Sequence, residues 1–203
     1  MSLSTDMKKT RTYTMGARAD AVAETRQRII EALFDLGRER LLPDISLDDV
    51  AAAAGVSVQT ILRHFKSRAG LSEATMNHAI ATVTEERHAP AGDVDAAVRV
   101  IVAHYEDRGQ TALLMLAQES SDPQVAELTG RGRDMHRTWV KDVFAPFVGP
   151  RDPLIDLLVV ATDIYTWKLL RIDRRYSRAR TEQLIHQMVT ALLAGAQQTG
   201  DLS

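Results

Sequence analysis

The side chains best placed for chemistry in this sequence are Val58, Gln59, Thr60, Leu62, Arg63 and His64. They are interleaved with Ile61 and Phe65, which stand four apart and so share one side of a helix. With Ile61 and Phe65 turned inward alongside Val50 and Val56, the other six point partly or wholly outward. A short helix offering a small apolar group, an amide, a hydroxyl and cations suits the floor of a DNA major groove. Base edges there present donors, acceptors and thymine methyls in a readable order. Taken on spacing alone, the same pattern also fits an ordinary helical hairpin.

The elements around that helix must hold it in place. Upstream, Ser46 is a candidate N-cap, and Asp49 three positions later is its capping-box partner. Leu47, Val50, Ala51 and Ala54 then form the buried side of a short helix that stops at Gly55. Gly55-Val56-Ser57 supplies a residue that tolerates positive φ, an apolar plug and a cap for the next helix. An earlier helix begins near Asp20, where Val22, Arg26, Ile29, Ile30, Leu33 and Phe34 recur at three- and four-residue intervals. Arg68 opens a longer helix with Leu71, Met76 and Ile80 on one side.

The remaining chain reads as five more helices: 94–106, 110–119, 123–144, 153–174 and 179–198. Gly109, Asp122-Pro123, Pro146 with Gly149-Pro150, and Ser177 mark the breaks. No stretch alternates with period two, so the fold class is all-α with about nine helices. The expected organisation is a basic disordered arm over 1–19, containing Lys8, Lys9, Arg11 and Arg18, a helix-turn-helix domain over 20–67, and a regulatory and dimerisation domain over 68–203.

Composition narrows the function classes. The 203 residues are 45% hydrophobic, 26% charged and 5% aromatic, ordinary values for a globular protein. The net charge of −2 does not decide about nucleic acid, because only the face that meets phosphates must be positive. Arg63, Lys66 and Arg68 form such a place, with no acid from Ser57 through Arg68. The absence of cysteine excludes disulfides, zinc–cysteine sites and thiol catalysis. No nucleophile–base pair, metal-ligand spacing or phosphate-cradling glycine loop stands in the sequence. An enzyme is therefore not expected, and no cofactor or metal is implied. Without an apolar run of about 20 residues or a secretory signal, the expected location is the cytoplasm.

From about Thr25 to Met76 the chain resembles the tetracycline-repressor (TetR) family. The resemblance is carried by Arg28-Ile-Ile-Glu-Ala-Leu-Phe34, Ser46-Leu-Asp-Asp-Val-Ala51, Ala54-Gly-Val-Ser57, Thr60-Ile-Leu-Arg-His-Phe65 and Ser67-Arg-Ala-Gly-Leu71. It implies that Gln59 and Thr60 approach base edges and that Val58 touches a thymine methyl. It also implies that Ser46, His64, Lys66 and Arg68 hold phosphates. Leu62 stands where many members carry a phosphate-contacting tyrosine, and Gln59 where glycine is common. Because leucine donates no hydrogen bond, backbone anchoring leans on Arg63, His64 and the arm.

Beyond Met76 the agreement is in length and helical content. The resemblance implies a homodimer through the last two long helices, with Leu158, Ala161, Tyr165, Leu169, Leu184, Met188 and Leu192 at the interface. The apolar character of 153–174 on all sides independently calls for a second cover. It further implies a cavity for a small-molecule effector among the helices that carry His104, Tyr105, Met115, Met135, His136, Trp139 and Trp167. The expectation is a repressor released from a palindromic operator by an effector. The alternatives are a DNA-binding activator or constitutive regulator without effector, or a helical enzyme that contains an Ala-Gly hairpin.

Overall fold

A computed structural model describes residues 6–149 and 153–200, with the side chains of 6–18, 124 and 197–200 excepted. The described residues are helical and contain no strand. They divide into two compact units at Ala79/Ile80. That division falls inside a helix, later than the boundary at 67/68 expected from sequence. The reason is that Leu71, 1% exposed, and Ala74 pack into the N-terminal core.

In the first unit, α1 spans Asp6–Leu36. The stretch expected to be a disordered arm is thus helical from Asp6 onward, while residues 1–5 lie outside the described residues. Ala, Met, Arg and Lys there are good helix formers, and extending an existing helix avoids a second nucleation. Ile29, Ile30 and Leu33 of α1 form one wall of the core. After a 3-10 turn at Leu42–Asp44, α2 (Leu47–Ala54) and α3 (Val58–Phe65) close it. Val50, Ala51, Ala54, Ile61 and Phe65 are all buried.

Gly55 ends α2 at φ +65°, the left-handed conformation that stops a helix. Its N–H is directed to the carbonyls of Ala51 and Ala52, and Val56 N–H donates to Ala51 at 2.9 Å. A Cβ at position 55 would meet nothing within 4 Å, so the turn requires glycine for its backbone angle and not for space. Helix α4 (Arg68–Glu86) follows.

The second unit is built on α5 (Val94–Gln118), which packs against α6 (Pro123–Val143), α8 (Ile164–Lys168) and α9 (Arg178–Gly200). Helix α7 (Leu154–Ala161) lies against α6 and α9. Ile101, Val102, Phe144, Ile155, Leu158 and Ile185 make the centre of this core.

Two boundaries differ from the sequence reading. Residues 94–118 form one helix that runs through Gly109 without a break. The expected helix 153–174 is interrupted at Thr162 and Asp163 and ends in a π turn, Leu169–Asp173. Thr162 Oγ1 donates to Leu158 O at 2.7 Å, and Asp163 Oδ1 accepts from Tyr165 N–H at 2.8 Å. One side chain therefore finishes α7 and the next starts α8, with neither glycine nor proline.

Candidate functional site

The N-terminal unit presents α3 on a fixed base. Ser46 Oγ accepts from Asp49 N–H at 3.1 Å while Ser46 N–H donates to Asp49 Oδ2 at 2.8 Å, a complete capping box at the start of α2. Ser46 Oγ also donates to Asp49 Oδ2 at 2.7 Å. Both donors of Ser46 thus go to the Asp49 carboxylate, and Ser46 serves as the N-cap of α2. The Ser46 hydrogen bonds, then Arg40, hold the Asp49 carboxyl at about 2.

Helix α3 is capped by Ser57, whose Oγ accepts from Thr60 N–H at 3.2 Å and lies 3.0 Å from Thr60 Oγ1. Gln59, Leu62 and Arg63 are exposed, and Thr60 and His64 are half-buried. Val58, expected to face outward, packs partly against the core. Burial, followed by the charges of Arg63 and Arg26, lowers the pKa of His64.

Past α3 come two exposed cations. Lys66 takes φ +69°, a strained angle for a side-chain-bearing residue, and its Nζ lies 3.4 Å from Arg63 O. Arg68 spends one guanidinium nitrogen on Leu42 O at 2.7 Å and leaves the others for a ligand. Arg26 sits over the ring of Phe65, 4.9 Å from its centroid. Six of the nine residues expected at this face, Ser46, Gln59, Leu62, Arg63, Lys66 and Arg68, are exposed.

In the second unit a polar cluster lies inside the core. Tyr105 OH donates to Thr162 O at 3.0 Å, at the break between α7 and α8. His136 Nε2 is 3.2 Å from Thr162 Oγ1 and 3.4 Å from Val159 O. The His136 ring stacks on Trp139, with centroids 5.6 Å apart. Trp139 Nε1 donates to Arg87 O at 2.7 Å, and the Arg87 guanidinium stands 5.6 Å from the Tyr105 ring centroid. His104 and Trp167 flank Tyr105 at 5.6 and 5.9 Å.

Five of the seven residues expected around an effector, His104, Tyr105, His136, Trp139 and Trp167, are thus brought together. Met115 and Met135 are half-buried on α5 and α6 and contribute no polar group to the cluster. Burial, then the charges of Arg87, Arg108 and His136, hold His104 down to about 2. Burial and Arg87 hold His136 at about 4. Burial raises the Tyr105 phenol, so all three groups are neutral near pH 7. Sequence reasoning missed Arg87, Thr162 and Asp163. The Thr-Asp pair inside an apolar run was the available signal for a capped break. Arg87 sat in a polar helix end that reads as solvated.

The expected dimer residues separate into two groups. Leu158 and Ala161 are 0% and 5% exposed and pack in the core of the second unit. Tyr165, Leu169 and Met188 are 55%, 54% and 36% exposed, and Leu157, Val160 and Ile172 are uncovered with them. Leu184 and Leu192 are half-buried on α9. Among the described residues no helix is long and apolar enough to cross a membrane, and no three His, Cys, Asp or Glu side chains are grouped to hold a metal ion.

Residues 29–75 match the family model described as bacterial regulatory proteins, tetR family. The HTH-type transcriptional repressor LfrR of Mycolicibacterium smegmatis is 34% identical over 107 residues, which cover 50% of this chain. The match spans 56% of the length of that repressor. Among solved structures, a tetR-family transcriptional regulator from Streptomyces coelicolor aligns with TM-score 0.63 and 21% identity, covering 89% of this chain and 94% of its own. A transcriptional regulator from Rhodococcus sp. Rha1 aligns with TM-score 0.62 and 20% identity, covering 84% and 96%. At these identities the two structures speak for the fold.

Proposed function

We propose that this protein, whose residues 29–75 match the model described as bacterial regulatory proteins, tetR family, is a homodimeric repressor. It binds a palindromic operator and is released by a small-molecule effector. The observation that carries the reading is α3 itself. Ile61 and Phe65 anchor one side, Gly55 and the Ser57 cap fix its start, and Gln59 and Arg63 stand exposed one turn apart. Gln59 and Thr60 read base edges, while Arg63, Lys66 and Arg68 hold phosphates.

The uncovered apolar side chains of α7, α8 and α9 support the dimer, since a monomer in water gains nothing by exposing Val160 (64%) or Tyr165 (55%). A two-fold dimer in turn reads two half-sites, which one recognition helix cannot. The polar cluster inside the second unit favours an effector over constitutive binding, because it leaves buried polar atoms for a ligand to satisfy.

The test is binding of the full chain to a genomic DNA pool at near-physiological salt, with sequencing of retained fragments. One palindromic motif, with half-sites about one helical turn or more apart, is the expected result. Retention of random DNA alone, lost on adding salt, would overturn sequence-specific recognition.

A further inference from the structure

Arg87 is only 6% exposed, and its Nε and Nη1 are without a hydrogen-bond partner. A buried guanidinium is among the most costly groups to leave unpaired. The ring of Tyr105 offsets part of the charge, yet it accepts no hydrogen bond from those nitrogens. Two acids act on Arg87 electrostatically, and both are committed elsewhere. Glu86 is held by Arg108, at 2.6 and 3.0 Å. Asp163 spends Oδ1 on Tyr165 N–H at 2.8 Å.

The neighbouring imidazoles are in the same condition. His104 Nδ1 and His136 Nδ1 are buried without partners, the nearest acid to His104 being Glu86 Oε2 at 3.6 Å. Thr162 Oγ1 gives its proton to Leu158 O and is left to accept from His136 Nε2–H. That tautomer leaves Nδ1 of His136 as a bare acceptor. Four orphaned polar atoms on Arg87, α5 and α6 therefore share one aromatic-walled region. Asp163 faces Arg87 as a charge, but Nε and Nη1 of the guanidinium have no acceptor.

We propose that the effector of this protein is a small organic acid whose carboxylate binds Arg87 inside the second domain, against Tyr105, Trp139 and the two imidazoles. The proposal rests on the effector reading above and gives it a chemical class. A carboxylate supplies the missing acceptors, and guanidinium is the cation whose geometry it fits best.

The experiment compares benzoate and acetate with the neutral benzamide and acetamide at matched ionic strength, on the full chain. Readouts are thermal unfolding and the fluorescence of Trp139 and Trp167, the two tryptophans of the sequence. Saturable stabilisation by the acids and not by the amides, with a Tm rise of about 2 °C or more, is the expected result. Arg87→Met removes that response and leaves the ligand-free Tm unchanged or higher, because an unpaired buried charge is gone. Arg87→Gln, which keeps some polarity, loses the response too.

Equal effects of acids and amides would overturn the proposal. So would a ligand-free Tm that falls by several degrees in both variants with no anion response in the parent, which is what a purely structural arginine predicts. Retention of operator DNA is scored separately. Acid binding without release of DNA would keep the anion site and remove the effector reading. Release by benzamide would keep the effector reading and remove the anion site.

Discussion

The indole of Trp167 occupies the space that a side chain at Gly109 would need. A Cβ built at position 109 would stand 2.6 Å from Cζ3 of the ring. The ring is 2% exposed, stacks near Tyr105, and donates from Nε1 to Glu106 Oε1 at 3.0 Å. Glu106 is also held by Arg171 Nε at 2.9 Å, so α5 is tied to the π turn at the same level. Glycine at 109 is therefore a packing requirement of two helices.

Gly109→Ala is expected to destabilise the protein despite alanine's better helix propensity. Overpacking a rigid contact costs about 1–3 kcal/mol, and the propensity gain returns about 1. The check is urea unfolding together with tryptophan emission, since the ring must move. An unchanged midpoint and spectrum would mean the ring gives way freely.

At the α3 surface, Gln59 and Arg63 are both exposed and one helical turn apart, yet they are assigned different work. Gln59→Ala is expected to relax discrimination at one position of each half-site by about 1–3 kcal/mol with little change in salt dependence. Arg63→Ala is expected to weaken all sequences alike and to lower the salt slope by about 1 per half-site. Competition binding over a range of salt separates the two. Equal changes in specificity and slope from both variants would sink the division of roles.

The helix-turn-helix was legible because its determinants are local. A serine and an aspartate three apart, and a glycine at a turn, announce Ser46, Asp49 and Gly55 without any tertiary knowledge. The second domain was legible only in outline. Gly109 read as a break because its reason, Trp167, is 58 positions away. Thr162 and Asp163 ended a helix through side-chain hydrogen bonds that an apolar count overlooks. The burial of Arg87 left no mark in the sequence, because burial of a cation is decided by what folds over it. In a run apolar on every side, periodicity could not divide the chain's own core from a partner's share.

That division predicts two opposite outcomes on neighbouring elements. Leu158→Ala, at 0% exposure, is expected to cost about 2–5 kcal/mol of folding stability through the cavity it leaves. Leu169→Glu, at 54% exposure, is expected to leave the helical spectrum intact and convert the proposed dimer to monomer, because it would place charge at the apolar contact proposed between subunits. Sedimentation analysis with far-UV circular dichroism reads both. A Leu169→Glu protein of unchanged mass in solution would place the dimer contact elsewhere.

Acid should loosen the α2 cap before it affects most of the fold. Hydrogen bonds from the Ser46 hydroxyl and then from the Ser46 backbone, with Arg40 third, hold the Asp49 carboxyl at about 2 against an ordinary 3.8. A folded pKa below the unfolded one means that the stabilisation is fully present above about pH 4 and disappears as pH falls toward about 2. Asp49→Asn cannot ionise, so its contribution to the pH slope in that window is lost while the neutral side chain still caps in part. The carboxylate belongs to the cap, so the effect is confined to the start of α2 and is best read there. Amide hydrogen exchange at Val50 and Ala51, compared between the two proteins from pH 5 to pH 2, isolates it from the depressed Glu119 carboxyl in the other domain. The parent should lose protection at these amides more steeply than Asp49→Asn once intrinsic exchange rates are corrected. Parallel curves would show that the capping carboxylate carries no acid sensitivity in this protein.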